Sequence, residues 1–443
     1  MGRLDADRTG SASPLTPAFH DSDNSEPESN PLPRGRLFAI CGLLLFASAI
    51  NYMDRQTLAN VAARITKEFS LSEQQYGNLE MSFGLSFAAG SMFFGVLADR
   101  CSIRYLYPIV LLLWSAVGFL TGYAEDYGQL LGCRGMLGFF EAGHWPCGLK
   151  TTQALLSRSN RALGNGVLQS GTSIGAIVTP LILYTILTPT VGSWRFGFQL
   201  VGAIGVVWIA AWFFIVRSSD FPAVKKKNER SSAALGEWWR DLLTRRMLVV
   251  VIVVTFINGS WQILRAWLPK IMEQGHGYEE LFTLRFTSVW YAVTDVGCLS
   301  SGLIALWLYR SGWTIKYSRC LAFGVCTAMC ASLMSVPFLG GGPWLLVVFL
   351  IAGAGSLGMF PLYHAFSQDI SREHQGKVTG ITGVIAWGFS SPTQSIFGYL
   401  ADQTGSYNIG IAIAGSLPLV ALAAIFCLWP NEPERTSKSG TYR

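Results

Sequence analysis

Residues Gln129–Lys150 read QLLGCRGMLGFFEAGHWPCGLK, an apolar stretch of helical length that carries two opposite charges, Arg134 and Glu141. Seven residues is two helical turns, so the two side chains fall on nearly one face, roughly 10 Å apart along the axis. Leu, Met, Phe, Gly and Trp around them are membrane material. An ionisable side chain at the centre of such a segment costs about 2.5–3.5 kcal/mol to insert, so it should face a protein interior or a water-filled cavity, not lipid. A charged face hidden inside an apolar segment is the first sign of a transport pathway.

The rest of the chain agrees in composition. Its 443 residues are 51% hydrophobic and 14% charged, against about 25% charged in soluble domains. The deficit runs along most of the sequence, so a multi-pass membrane protein is expected. The net charge of +6 is not a nucleic-acid signature, because the basic residues sit in short loops between apolar spans. The nine cysteines show no CxxC pairing and read as small core residues. Met1–Pro33 is polar and reads as a disordered cytoplasmic tail, not a secretory signal.

Apolar segments of bilayer length are expected at Leu37–Leu58, Tyr76–Leu97, Tyr105–Tyr123, Gln129–Lys150, Leu163–Leu187 and Arg195–Val216. After a polar, basic stretch with Lys225, Lys226 and Lys227 in a row, six more follow at Met247–Leu268, Phe286–Tyr309, Tyr317–Phe338, Trp344–Phe366, Gly376–Leu400 and Tyr407–Trp429. The plan is an all-α integral membrane protein with 12 transmembrane helices in two pseudo-symmetric six-helix bundles. Its divisions are a tail at 1–35, a bundle at 36–216, a cytoplasmic linker at 217–246, a bundle at 247–430 and a tail at 431–443. Loops on one side carry about 18 Lys and Arg against about 4 on the other, which places both termini in the cytoplasm. The halves echo each other: Gly164, Gly166, Gly171 and Gly175 precede Pro180, and Gly376, Gly380, Gly383 and Gly388 precede Pro392. Such an internal repeat puts a binding site where the halves meet.

Several motifs carry a family resemblance. GVLADRCSIR (Gly95–Arg104) resembles the loop signature of the major facilitator superfamily, with Ser102 where that signature usually has glycine. Within it, NYMDRQTL (Asn51–Leu58) and RGMLGFFEAGHWP (Arg134–Pro146) resemble the first- and fourth-helix motifs of the anion:cation symporter family, hexuronate and galactonate type. GTSIGAIVTP (Gly171–Pro180), WRFGFQLVGAIGVVW (Trp194–Trp208) and TDVGCLSSG (Thr294–Gly302) fit its fifth, sixth and eighth helices. The resemblance covers about Arg36 to Pro430 and is looser in the second half.

It implies the major facilitator fold, with Asp54 and Glu141 as proton sites and Arg55 and Arg134 as contacts to an anionic substrate or to those carboxylates. Arginine suits a carboxylate because its fork binds both oxygens. A substrate anion competing for the arginine would free the acid to take a proton, so proton and anion enter together. Arg265, where relatives tend to be uncharged, is a third candidate anion contact. Phe87 stands where several relatives place a tyrosine, and only His364 and Gln368 of AGSLGMFPLYHAFSQD (Ala354–Asp369) offer polar groups on the second-half wall. Gly95, Asp99, Arg100 and Arg104 read as a conformational latch, Asp295 as structural or gating, and His144 as a packed polar residue. Glu80 is left open between a cavity wall and a cavity mouth.

The expectation is a proton-coupled symporter of an organic anion, a sugar acid first among the choices, working by alternating access as a monomer in the inner membrane. An exchanger or facilitator without proton coupling, or a transporter-like sensor, are the alternatives. No P-loop, metal-ligand set or nucleophile–base pair is read, so an enzyme, a metal and a cofactor are not expected. The partners are protons, a small organic anion and the lipid bilayer.

Overall fold

The computed structural model describes residues 33–155, 161–217, 220–221, 244–370 and 375–429. Residues 1–32 of the tail expected at 1–35, the tail at 431–443 and nearly all of the expected linker with its three lysines lie outside the described residues, while Arg34 and Gly35 already belong to the first helix. The helices before residue 217 are α1 (Arg34–Asn60), α2 (Ala62–Glu68), α3 (Glu73–Arg100), α4 (Ile103–Thr121), α5 (Tyr127–Glu141), α6 (His144–Leu155), α7 (Arg161–Ile186) and α8 (Trp194–Ile215). Those after 244 are α9 (Arg245–Lys270), which runs on as a π-helical turn at Ile271–Gly275, α10 (Glu280–Arg310), α11 (Ile315–Ala331), α12 (Pro343–Gln368), α13 (Gln375–Thr404) and α14 (Asn408–Leu428). No strand occurs among the described residues. By length and composition, ten segments among the described residues qualify as membrane spans. The two other expected crossings fall on α5–α6, which breaks at Ala142–Gly143, and on α13, which is diluted by Gly, Ser, Thr and Gln. The continuous fourth span expected from sequence is therefore two helices.

Local chemistry sets the ends. Ser72 caps α3 in a reciprocal box with Gln75: its hydroxyl accepts from Gln75 N at 3.1 Å while Ser72 N donates to the Gln75 side chain at 2.9 Å. Asp126 caps α5 by accepting from Gln129 N at 2.8 Å. Thr244 and Thr314 do the same for α9 and α11. Gly405 ends α13 at φ 64°, a conformation open to glycine without penalty.

Helix packing relies on missing side chains. A Cβ at Gly138 of α5 would strike the Phe83 backbone of α3, and one at Gly171 or Gly175 of α7 would strike the α1 backbone at Leu45 or Ala49. Small residues let backbones meet where lipid supplies no hydrophobic drive. The repeat seen in the sequence is not used the same way twice, since Gly380, Gly383 and Gly388 of α13 face open space. The two halves of the chain meet along α3 with α13 and along α7 with α10.

The side bearing the ends of the described chain differs from the opposite one. Arg36 near the start of α1 binds the Ile215 carbonyl and Asp220, while Arg245 donates to the Cys427 carbonyl, so chain ends gather on one face. On the far face the halves are bolted together. Arg64 grips Glu280 with two bonds of 2.5 and 2.6 Å and also donates to Thr188 O, Thr190 O and Ser193 Oγ. Lys270 pairs with Glu73 at 2.5 Å, and Tyr76 donates to the Ala266 carbonyl at 2.8 Å. Asp402 of α13 accepts the Glu73 and Gln74 backbone N–H groups at 2.8 and 2.9 Å, so the second half caps a helix of the first.

Gly138→Val should cost about 1–3 kcal/mol of stability through overpacking, read as a lower melting temperature in detergent. Gly132→Val, whose added carbons meet open space, should melt within error of the parent protein.

Candidate functional site

At mid-depth, where α1, α3, α5, α9 and α13 converge, six ionisable side chains are buried together: Asp54, Arg55, Glu80, Arg134, Glu141 and Arg265. Each reaches this point for a local reason. Arg55 lies one turn after Asn51, whose side-chain oxygen accepts from Arg55 Nη2 at 3.1 Å. Asn51 in turn donates weakly to the Glu141 carbonyl at 3.4 Å, where the break at Ala142–Gly143 leaves helix end carbonyls in need of donors. Arg265 is steadied by Gln262, one turn earlier on α9, which accepts from its Nε at 2.6 Å.

Arg134 and Glu141 share a helix but each takes a partner elsewhere. Arg55 Nε donates to Glu141 Oε2 at 2.7 Å. Arg134 Nη2 donates to Glu80 Oε1 at 3.2 Å, and Arg265 Nη2 donates to Glu80 Oε2 at 2.6 Å. One carboxylate thus spans two guanidinium groups, one from each half of the chain. Sequence left Glu80 open, and it proves to be the hub of the cluster.

Aromatic rings wall the charges in. The Arg55 guanidinium lies 5.1, 4.7 and 5.6 Å from the ring centres of Phe83, Phe87 and Trp387, and Arg134 lies 4.5 Å from Phe83. Ring faces attract guanidinium ions while giving up no hydrogen-bond capacity. Phe87 therefore sits in the cluster as a cation-facing wall, packed 4.7 Å from Trp387 of α13. A narrow crevice lined by Glu80, Gln262, Arg265, Trp387, Ser390, Ser391 and Gln394 runs between the halves and is too tight to admit a water-sized sphere. Trp387, Ser390 and Gln394 were missed in the sequence, where they look like ordinary residues of a glycine-rich span.

Capacity is left over. Arg134 Nε and Nη1, Arg265 Nη1, Glu141 Oε1 and both oxygens of Asp54 are buried without a hydrogen-bond partner among the described residues. Asp54 points at Gly118 of α4, where an added Cβ would lie 2.8 Å from its Oδ1. Glycine there is what makes room for the acid.

Other sequence candidates lie elsewhere. His364 and Gln368 are exposed near the end of α12 on the face of the chain ends, away from the charge cluster. His144 is fully buried between Ser48 Oγ and Tyr107 OH, both at 2.9 Å, and ties α1, α4 and α6 together as a packed polar residue. Asp295 accepts from Ser173 Oγ at 2.9 Å, a second polar link between the halves on the α7–α10 seam. The stretch expected as a loop is mostly helix: on the last turns of α3, Gly95 meets no neighbour, Asp99 pairs with Lys150 of α6 and Arg100 is exposed, while Arg104 at the start of α4 lies over Tyr105.

A sequence model of the Major Facilitator Superfamily matches residues 44–393. The probable L-galactonate transporter of Escherichia coli (strain K12) is 25% identical over 418 residues, 89% of this chain and 90% of that protein. The hexuronate transporter of the same strain is 23% identical over 424 residues, 90% of this chain and 95% of that protein. Among solved structures, a D-xylose-proton symporter superposes with a TM-score of 0.73 at 14% identity, covering 89% of this chain and 98% of that one.

Glu80→Ala would leave two buried guanidinium groups without their shared carboxylate, and breaking a buried pair from one side costs about 3–5 kcal/mol. The melting temperature should fall sharply. In the cycle formed by Glu80→Gln, Arg265→Gln and the double variant, the coupling energy should be about 1–3 kcal/mol, with Arg134 still short of its carboxylate in the double variant.

Proposed function

The chain belongs to the Major Facilitator Superfamily, and we propose that it carries an organic anion, with a sugar acid such as a hexuronate or aldonate first among the candidates, across the inner membrane by proton-coupled symport. The observation that carries this reading is the Arg134–Glu80–Arg265 bridge, an anion-shaped seat built from both halves and filled by an internal carboxylate. The two curated relatives named for galactonate and hexuronate point to the same substrate class.

The chemistry follows from the pairing. Three guanidinium groups face three carboxyl groups, so the cluster is neutral when all are ionised. An incoming carboxylate can take the free donors of Arg134 and Arg265, but it competes with the internal acids for the same positive charge, and an acid that loses its share needs a new counter-charge in an apolar site. A proton is the smallest such charge. Glu141, held by a single bond from Arg55, and Asp54, held by none, are the acids a proton neutralises at least cost. Proton and anion then bind as a neutral set, and neither is stable in the cluster alone.

Movement needs the far-face bolts to open and the other face to close. The two sets of helices, 36–216 and 247–430, act as bundles that rock about the α3–α13 and α7–α10 seams, joined by the linker at 217–246. The excess of Lys and Arg puts the face of the chain ends in the cytoplasm. The Arg64–Glu280 and Lys270–Glu73 pairs then form the external gate, Asp295 with Ser173 works at the seam, and the Gly95–Arg104 loop serves the cytoplasmic side. The carrier acts as a monomer.

Proteoliposomes loaded at neutral pH and diluted into acid medium test this directly. Labelled galactonate or glucuronate should accumulate above its equilibrium level, and an uncoupler should abolish the excess. Equal uptake with and without the gradient would move the assignment to exchange or facilitated diffusion. Binding without uptake would make the protein a sensor. In Glu141→Gln, gradient-driven accumulation should fall at least tenfold while exchange of internal for external substrate persists.

A further inference from the structure

We infer that the substrate of this chain carries two anionic groups, one at each end of a short molecule. This rests on the transport reading above and, among sugar acids, moves the preference from the singly charged hexuronates and aldonates to those with a carboxylate at both ends. The charge cluster contains two separate anion seats, not one. In the first, Glu80 places one oxygen on Arg134 and the other on Arg265. In the second, a single Glu141 oxygen rests on Arg55 Nε. The seats flank one ring: the guanidinium carbons of Arg55 and Arg134 lie 5.1 and 4.5 Å from the centre of Phe83. A molecule of a few carbons can therefore reach both.

The first seat has donors that its present occupant leaves unused. Arg134 is fully buried, yet its Nε and Nη1 make no hydrogen bond, and neither does Nη1 of Arg265. A side-chain carboxylate tethered to α3 cannot reach all of these groups. An untethered carboxylate or sulfonate offers two or three oxygens to both forks and is free to turn toward them. A mono-anion fills one seat and leaves the other to its internal acid, so either the Arg134–Arg265 seat or the Arg55 seat takes no part in holding it. A doubly charged substrate uses all three arginines and draws Arg265 of the second half toward the first through the substrate itself. Displacing both Glu80 and Glu141 calls for two protons per dianion if entry is to stay electroneutral.

Matched pairs of ligands test this on the purified full-length protein in detergent, by isothermal titration at fixed pH and ionic strength. Galactarate and galactonate share a carbon skeleton and differ in whether the far end is a carboxylate or an alcohol. Succinate and butyrate differ in the same way without hydroxyl groups. Galactarate should bind at least tenfold more tightly than galactonate, and the Glu80→Gln/Arg265→Gln protein should lose that preference. Galactonate binding as tightly as galactarate would overturn the inference and leave the sugar-acid reading standing. Succinate bound in preference to butyrate, with neither sugar acid bound, would keep the two-anion seat and overturn the sugar-acid reading. No binding by any of the four would overturn both. A galactarate preference that persists in the double variant would remove the seat from Glu80 and Arg265.

Discussion

A buried charge in a membrane protein must find its counter-charge inside the protein, and this one requirement organises the structure. Lipid offers neither water nor ions to an exposed guanidinium group. Arg55, Arg134 and Arg265 therefore draw Glu80 and Glu141 to one depth, and the helices carrying them converge there. The close approaches at Gly138 against Phe83 and at Gly118 against Asp54 allow that convergence. Remove the charges, and a cleft between two helical sets would have no reason to hold its width or its register.

The same constraint ties binding to movement. Because Glu80 bridges guanidinium groups from both halves, an anion that takes its place disturbs a link between the halves. Arg265–Glu80 at the centre and Lys270–Glu73 on the far face are ion pairs across the same contact of α3 with α9, and Arg64–Glu280 joins α2 to α10. Contacts within the first half include apolar, glycine-mediated packing as well, as where α7 lies on α1. Such packing survives a small rotation of one half against the other. Polar links across the seam are the parts that must be broken and remade.

Much of this was legible in the sequence because apolar length and loop charge are local properties. The expected spans agree with the helix bounds to within a few residues at most ends. The burial of Arg134 and Glu141 followed from their apolar surroundings alone. Their partners did not, because a seven-residue spacing constrains only one helix. Which residue of α3 or α9 stands opposite is a property of packing, and Glu80 carries no motif that marks it. The break after Glu141 escaped notice because AGHWP is as apolar as the residues before it. His364 and Gln368 were chosen for their polarity on the tenth span, but their position near the end of α12 takes them below the depth of the cluster. The glycine echo between the halves was visible, yet only the α7 glycines are pressed against a neighbouring backbone.

The cap that Asp402 supplies to α3 has a consequence for how the far mouth behaves once open. A helix start carries about half a positive charge, spread over backbone N–H groups that need acceptors. While the halves are shut, Asp402 neutralises that end. When they separate, the carboxylate leaves with α13, and the start of α3 is turned toward the solution with Arg64 and Lys270 freed nearby. Glu73 and Glu280 are uncovered at the same moment, so the open entrance carries unpaired charges of both signs divided between the two halves. Their mutual attraction draws the halves back together, and that pull weakens at high ionic strength, where charges more than about 10 Å apart cease to sense each other.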